Sequence, residues 1–247
     1  MCNRFRSIRE WSEIPRHVHS GPRLNFEFNP NVAPTELAPV FIAQLDGPPN
    51  PAIARFGINL TGKDGKPRAP LLNARTDGLR RGQFRNHLKT RRCVIPAQGF
   101  YEWREEGGKQ PYYFYRKDGA PLMLAGIWEE SAYKGDERIA FAILTDEPNE
   151  LVAPYHDRMP LALAGDKVAI WLDLAVTEPL QKNLLLDLAE FAVRPMDRAM
   201  NNARQKDLAR LILHRKFRYA GFVGARLCSA RALRAQRSLE RQLEDRS

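Results

Sequence analysis

The 247-residue chain has no long apolar run and very little cysteine. No stretch approaches the roughly 18 consecutive apolar residues of a membrane-spanning helix, so no transmembrane segment is predicted. The first residues lack an apolar core, so a secretory signal peptide is not expected either. Neither a repeat period nor a strong compositional bias is present, which excludes collagen-like, solenoid and low-complexity classes.

The three cysteines are too few and too scattered for a disulfide framework or a zinc site. They are Cys2, Cys93 and Cys228. No pair of histidine or acidic residues has the spacing of a zinc-peptidase motif. We therefore expect no metal, no cofactor and a reducing compartment in which Cys2 is a free thiol.

Positive charge is in excess and unevenly distributed. The formal net charge is +10 at pH 7. The segment from Ala203 to Ser247 has twelve basic and four acidic residues, so it carries +8 and the rest of the chain only +2. A basic chain favours a polyanionic partner such as nucleic acid. A solvated surface, an acidic lipid and an acidic protein are equally consistent with charge alone.

Short segments rich in aromatic and β-branched residues fill the middle of the chain, separated by turns. Strands are predicted at Val40–Ala43, Ile53–Phe56, Arg92–Pro96, Phe100–Trp103, Tyr112–Tyr115, Met123–Trp128 and Ile139–Leu144. Hairpin turns are predicted at Gly107-Gly108 and Lys117–Gly119, and helices at Arg6–Trp11, Arg80–Leu88, Asn149–Ala153 and Leu180–Leu188. This pattern indicates an α+β domain with a curved antiparallel β-sheet or open β-barrel core flanked by helices.

The pattern changes near residue 203, where leucines lie among arginines at roughly helical spacing. We predict a catalytic domain over residues 1–207 and a basic, helical C-terminal extension over residues 208–247. A helix that docks on the domain or frays is the simpler interpretation of the extension. Binding to nucleic acid is the alternative.

Cys2 follows the initiator methionine, which is normally removed before a small residue. Removal leaves an α-amino group (pKa about 7.7–8.0) beside a thiol (pKa about 8.5), both partly deprotonated at neutral pH. Such a 1,2-aminothiol condenses with an aldehyde to a Schiff base, and the thiol then closes on the imine carbon to give a thiazolidine. A chance cysteine in a disordered terminus is the alternative interpretation.

Three further residues fit this chemistry. Loss of water from the carbinolamine needs a general acid, and apolar neighbours such as those in Phe100–Trp103 raise the pKa of a carboxyl group like Glu102. His156 can protonate the ring oxygen of a cyclic hemiacetal to release its aldehyde, or donate a hydrogen bond to the resulting hydroxyl. Asn73 can orient the amine through a neutral amide. The alternative interpretations are that Glu102 is an exposed strand carboxylate, His156 a structural histidine and Asn73 a turn residue.

Six segments occur in a characteristic order: MCNRF at 1–5, NVAPT at 31–35, NARTD at 73–77, RRCVIPAQGFYEW at 91–103, Thr145, and YHDRMP at 155–160. In this order and at these separations they resemble the SRAP family of SOS response-associated peptidases, or abasic-site processing proteins. The resemblance runs from residue 2 to about residue 207. The RRCVIPAQGFYEW and HDRMP blocks are its most specific parts.

The resemblance implies an α+β domain around a curved, barrel-like sheet that processes DNA damage. Its implied partner is single-stranded DNA containing an abasic site, whose ring-opened sugar becomes linked covalently as a thiazolidine. The catalytic residues it implies are Cys2, Asn73, Glu102 and His156. Phosphate contacts on either side of the lesion are implied for Arg4 and Arg75. We expect a monomer without membrane association, in the cytoplasm and, in a bacterium, at the nucleoid.

The sequence departs from the family pattern at two places. Asn3 replaces the glycine of the usual MCGRF opening, and glycine tolerates backbone conformations that side chains resist. Asparagine adopts left-handed backbone more readily than most residues. Arg55-Phe56-Gly57 replaces an Arg-Trp-Gly block, which removes an aromatic surface for stacking of bases.

Two other function classes stay open at this point. A thiol peptidase could use Cys2 as nucleophile with His156 and Glu102, and peptidase activity in the family is interpreted as autoproteolytic removal of Met1. A non-catalytic single-stranded DNA-binding module would use Arg4, Arg75 and the basic extension, with Cys2 incidental. Covalent capture that depends on an aldehyde separates the first hypothesis from both of these.

Overall fold

A computed structural model describes residues 2–15, 18, 23–79, 82–133, 136–180 and 184–211. Its strands are β1 (Phe5–Ser7), β2 (Leu37–Ile42), β3 (Asn50–Phe56), β4 (Ile58–Thr61), β5 (Pro67–Leu71), β6 (Asn73–Arg75), β7 (Arg92–Glu105), β8 (Lys109–Arg116), β9 (Leu122–Tyr133), β10 (Asp136–Asp146), β11 (Met159–Pro160), β12 (Ala162–Leu163) and β13 (Phe191–Pro195). Its α-helices are α1 (Thr76–Leu79), α2 (Arg85–Thr90), α3 (Val168–Leu172) and α4 (Leu208–Leu211). None of the described helices is long and apolar enough to cross a membrane.

Five strands form a closed barrel at the centre of the fold. They follow the order β9-β10-β3-β2-β7, and β7 pairs back with β9 to close the ring. Strand β10 runs parallel to β3 and β6, whereas the other pairings of the barrel are antiparallel. The predicted α+β class with a barrel-like core and flanking helices is therefore confirmed, with a mixed sheet in place of the purely antiparallel one.

Strand β7 links the barrel to the N-terminal strand. Its first half pairs with β9. Its second half pairs with β8 and, on the other side, with β1, where Phe5 lies opposite Phe100. A Cβ atom at Gly99 would overlap the Phe114 carbonyl oxygen, so the close approach of β7 and β8 requires glycine here. The two strands predicted at Arg92–Pro96 and Phe100–Trp103 are thus one continuous strand.

Aromatic side chains inside the barrel hold β1 in place. Phe5 makes an edge contact with Phe56 at 5.5 Å between ring centroids, and Phe56 stacks on Phe141 at 5.3 Å. Cys2 and Phe5 are fully buried members of the same apolar cluster. Aromatic pairs of this geometry add to the free energy of burial. Cys2 and Phe5 therefore anchor this segment in the core.

Most predicted strands are confirmed, but several predicted helices and turns are wrong. Arg6–Trp11 is not a helix, because Phe5–Ser7 pairs with β7 and only Trp11–Glu13 forms a short 3-10 helix. Asn149–Ala153 forms turns, and α2 begins at Arg85. Within Leu180–Leu188, residues 181–183 lie outside the described part of the chain.

The predicted hairpin turn at Gly107-Gly108 joins β7 and β8, with both glycines at positive φ. Gly119 also has a positive φ of 79°. In the described part of the chain, however, β8 pairs with β7 and β13, so Lys117–Gly119 is a turn but not a hairpin connection to β9.

The predicted domain boundary at residue 207 stays a prediction. By contacts between residues, one compact unit spans Met1–Leu213. Helix α4 lies within it, and Leu211 is buried in a cluster with Met200 and Tyr101. Residues 212–247, which hold most of the predicted extension, lie outside the described residues.

Candidate active site

The antiparallel register of β1 and β7 brings the residues just before β1 beside Glu102. The Tyr101 backbone N–H donates to the Arg4 carbonyl oxygen at 3.0 Å, which continues the β1 ladder towards residue 2. The Cys2 side chain is fully buried, and its Sγ donates to the Arg4 carbonyl oxygen at 3.7 Å. The structure thus brings Cys2 and Glu102 into one site although they lie far apart in the sequence.

Burial raises the pKa of the Cys2 thiol well above its usual range, and the negative charge of Glu102 raises it further. The thiol is therefore protonated at neutral pH. A thiolate is the stronger nucleophile, so this environment does not activate the sulfur for the first attack on an electrophile.

Glu102 is 2% exposed, with a carboxyl group that binds its proton more tightly than usual. Burial raises the pKa of Glu102 to about 7, and the nearby Asp157 carboxylate raises it as well. The positive charge of the amino terminus acts in the opposite direction. A carboxyl group that is half protonated near pH 7 can deliver a proton under physiological conditions.

His156 lies in the loop between β10 and β11. Its Nδ1 lies 3.0 Å from the Arg158 backbone nitrogen and 2.7 Å from Asp157 Oδ1. The first contact needs Nδ1 as acceptor in a neutral ring, whereas the second needs a proton on Nδ1. Burial lowers the pKa of His156 and Asp157 opposes this shift. The Asp157 side chain is 86% exposed, so water weakens its attraction for the ring. The hydrogen bond from the Arg158 backbone therefore determines the tautomer, with Nδ1 as acceptor and the ring proton on Nε2.

Glu102 and His156 share the wall of an open cavity of ≈ 450 Å³. Its wall contains Asn3, Arg4, Glu102 and His156, and it is completed by Trp103, Lys109 and Asn201. A larger groove of ≈ 800 Å³ lies elsewhere on the protein and contains none of the predicted site residues. The chemistry-bearing side chains therefore identify the smaller cavity as the candidate site.

Asn73 on β6 is 6% exposed and reaches the site through Asn3. Its Nδ2 donates to Asn3 Oδ1 at 3.1 Å. Its own Oδ1 is buried and has no hydrogen-bond partner among the residues that the structure describes. Asn3 is not among the described non-glycine residues with positive φ, so the replaced glycine of the family pattern leaves no strained backbone here.

Arg4 is half-buried at the cavity and is held from two directions. Its Nη1 donates to Asn31 Oδ1 at 2.9 Å, and its guanidinium lies 5.7 Å from the centroid of the Trp103 ring. Asn31 is fully buried and donates in turn to the carbonyl oxygens of Asn202 and Gln205. The orientation of Arg4 is therefore fixed by a buried asparagine and by the ring of Trp103.

Arg75, unlike Arg4, is exposed and paired with a carboxylate. Its guanidinium donates two hydrogen bonds to Asp77, from Nε to Oδ1 at 3.1 Å and from Nη2 to Oδ2 at 2.7 Å. This pairing raises the pKa of Arg75, and the charge of Asp157 adds to the rise. Arg75 therefore lies outside the residues that line the cavity, within range of the Asp157 charge, and already has an anionic partner.

Three of the six predicted site residues, Arg4, Glu102 and His156, line the cavity. Cys2 and Asn73 lie behind its wall, where they interact with Glu102 and Asn3, and Arg75 interacts with Asp157, the neighbour of His156. Sequence reasoning missed three residues that contact them: Asn31 beside Arg4, Asn3 beside Asn73, and Asp77 beside Arg75. All three lie in segments that carry the resemblance, NVAPT, MCNRF and NARTD, but the sequence gives no sign of these contacts; Asn3 stands out only as a replacement for glycine. Among the described residues, no group of three or more histidine, cysteine or acidic side chains could hold a metal ion.

The fold of this chain is similar to that of solved structures. A protein from Bordetella bronchiseptica superposes with a TM-score of 0.63 over 78% of this chain and 99% of its own, at 22% sequence identity. A phage-related protein from the same organism gives a TM-score of 0.58 over 78% of this chain and 93% of its own, at 27% identity. These neighbours support the mixed barrel fold.

Similarity in sequence identifies the family of the chain. The abasic site processing protein YoaM of Bacillus subtilis is 32% identical over 189 residues, covering 72% of this chain and 82% of that protein. The abasic site processing protein HMCES of Gallus gallus is 34% identical over 140 residues, 47% of this chain and 42% of that protein. The model of the SOS response associated peptidase family matches residues 1–203. The chain therefore belongs to the SOS response associated peptidase (SRAP) family.

Proposed function

We propose that this protein processes abasic sites by capturing the ring-opened sugar in single-stranded DNA through Cys2. Its relatives are named abasic site processing proteins. The observation that carries the proposal is the position of Glu102, a buried carboxyl group with a pKa of about 7 whose charge acts on the Cys2 thiol. Removal of Met1 would place the new α-amino group of Cys2 in this environment.

The proposed reaction joins one aldehyde and one aminothiol with loss of one water. The Cys2 amine adds to the aldehyde carbon to give a carbinolamine, whose hydroxyl leaves as water after protonation. The Cys2 sulfur then adds to the imine carbon, and the thiol proton passes to the nitrogen. A neutral thiol suits this order of events, because the amine and not the sulfur makes the first attack.

The acid–base roles follow from the environment of each side chain. Glu102 donates the proton that turns the carbinolamine hydroxyl into water, since its raised pKa keeps a proton available near pH 7. His156, with its proton on Nε2, donates to the sugar oxygen during ring opening. Asn73 orients the amine through its amide.

The same geometry favours this proposal over a thiol peptidase. An acyl-transferring cysteine needs a histidine base in hydrogen-bond reach. In the described part of the chain, the hydrogen bond of the Cys2 thiol is to the Arg4 carbonyl oxygen, and the charges acting on it are those of Glu102 and the amino terminus, not of a histidine. Peptidase activity is therefore limited in this proposal to the exposure of Cys2.

The monomeric state and the cytoplasmic location of the protein stay predictions.

An intact-mass experiment tests the proposal. Purified protein is incubated with a single-stranded oligonucleotide that carries one abasic site, and we expect a product equal to protein without Met1 plus oligonucleotide minus one water. Pretreatment of the DNA with an O-alkyl hydroxylamine blocks the aldehyde and should prevent the product. Failure to form the adduct, or an adduct that survives the aldehyde block, would contradict covalent capture through an aldehyde.

Binding to DNA should be separable from the chemistry. Arg4→Ala and Arg75→Ala should each lower the salt dependence of affinity for intact single-stranded DNA by a slope of about 0.7, because each removes one phosphate contact. Asp77→Asn should tighten binding about two- to fivefold at low salt, since it weakens a competitor for Arg75. Fluorescence anisotropy over a salt series measures both. Unchanged affinity in all three variants would make these residues structural.

A further inference from the structure

The Asn3 side chain forms a bridge between the exposed start of the chain and a buried amide. Asn3 is exposed at the cavity wall, whereas Asn73 is 6% exposed on β6. Asn73 Nδ2 donates to Asn3 Oδ1 at 3.1 Å. The residue that follows Cys2 is therefore tied by its side chain to a second residue of the candidate site.

This contact sets the orientation of the Asn73 amide. A side-chain amide offers two N–H donors on one atom and an acceptor oxygen on the other, so fixing one atom also fixes the direction of the other. Because Nδ2 points to Asn3, Oδ1 is directed away from it. That oxygen is buried and has no hydrogen-bond partner among the described residues. Buried acceptors normally have a partner, so an unused one in a candidate active site indicates a donor supplied by the reacting groups.

We propose that Asn3 is a positioning residue that holds the Asn73 amide so that Asn73 Oδ1 accepts a hydrogen bond from the α-amino group of Cys2 during capture. The inference rests on the proposed function. A neutral acceptor directs the amine lone pair towards the aldehyde without adding a charge to the site. A glycine at position 3 has no side chain that could hold Asn73. This chain therefore has a positioning hydrogen bond that the glycine of the family pattern cannot form.

A double-mutant cycle isolates this role, because a residue that acts through Asn73 has no effect once Asn73 is removed. Single-turnover capture is measured over a range of abasic-oligonucleotide concentrations at the pH optimum of each variant. Asn3→Ala should lower the maximal rate about fivefold, which is about 1 kcal/mol at 1.4 kcal/mol per tenfold. The half-saturating DNA concentration should stay within about twofold. In an Asn73→Ala background, Asn3→Ala should change the rate by less than about 1.5-fold.

Two further variants determine the direction of the bond and control for surface effects. Asn3→Asp can accept from Asn73 Nδ2 but cannot donate, so it should capture faster than Asn3→Ala. Asn86→Ala, an exposed asparagine on α2 outside the cavity, should behave as the unmodified protein. Circular dichroism confirms that each variant is folded.

Several outcomes would overturn the inference. Equal effects of Asn3→Ala in both backgrounds would show that Asn3 does not act through Asn73. Capture by Asn3→Asp no faster than by Asn3→Ala would reverse the assigned hydrogen bond. An unchanged maximal rate in Asn3→Ala, with normal capture by the unmodified protein, would refute the positioning role while the proposed function stands. Absence of any adduct with the unmodified protein would instead refute the proposed function and the inference together.

Discussion

Replacing Cys2 by alanine should abolish the stable adduct with abasic DNA, a loss of at least about 100-fold, while the fold is retained. The α-amino group remains, so the variant can still form an imine, but no sulfur is present to close the ring. Borohydride should therefore trap the imine of Cys2→Ala as a secondary amine, whereas untreated samples should show only free protein. Denaturing electrophoresis and intact mass measure both products.

Cys93→Ala is the matched control, because Cys93 is the other fully buried cysteine among the described residues. It should capture abasic DNA like the unmodified protein. An N-terminal tag that converts the Cys2 amine into an amide should abolish both the stable adduct and the borohydride-trapped one. A stable adduct formed by Cys2→Ala, or by protein that retains Met1, would refute the aminothiol mechanism.

Much of the fold could be predicted because local composition determines it. Tyr112–Tyr115 and Met123–Trp128 are aromatic or aliphatic runs bounded by turns, and both lie in strands. The helix predicted at Arg6–Trp11 was wrong because β1 exists only through pairing with β7, which no local pattern encodes. Closure of the barrel and its parallel pairs depend in the same way on distant contacts.

The candidate site was likewise predictable only in part. Unusual chemistry at the N-terminus and the motif blocks indicated Cys2 and Glu102 from the sequence alone. The partners of these residues could not be predicted, since the Arg4–Asn31 and Asn3–Asn73 bonds join residues far apart in the chain. The pKa of Glu102 depends on burial, which is likewise a property of the assembled fold.

Replacing Glu102 by glutamine should slow formation of the link by roughly 10²–10⁴-fold, the usual range for loss of a general acid. Glutamine preserves the size of the side chain but has no proton that it can transfer. Single-turnover kinetics on an abasic oligonucleotide measure the effect, and affinity for intact single-stranded DNA is the control. We expect that affinity to change less than about twofold, because the phosphate contacts are assigned to Arg4 and Arg75.

The dependence on pH tests the same role. Glu102 is the required acid only while protonated, so the rate for the unmodified protein should fall as pH rises through its pKa of about 7. The amine must be deprotonated to attack, so the rate should also fall at lower pH. Glu102→Gln should lose the alkaline limb and keep the acidic one. Retention of both limbs in the variant would assign the acid to another group.

A stability measurement shows that the slow variant is folded. The folded-state pKa of Glu102 is raised from 4.5 to about 7, so the stability associated with this group is fully present below pH 4.5 and is lost as pH rises through about 7. At pH 8 the buried carboxylate therefore costs on the order of 3 kcal/mol, at about 1.4 kcal/mol per pH unit. Glu102→Gln removes this penalty, so its Tm at pH 8 should exceed that of the unmodified protein.

His156→Ala separates proton delivery from ring opening. It should slow capture of a natural abasic site, because the sugar must open before the amine can attack. An oligonucleotide with a permanently open aldehyde bypasses that step, so it should restore His156→Ala much more than Glu102→Gln. The carbinolamine must still lose water on this substrate, and that step is assigned to Glu102. Equal restoration of both variants, or of neither, would refute the division of roles between the two residues, while the Cys2 result would still decide whether capture is covalent.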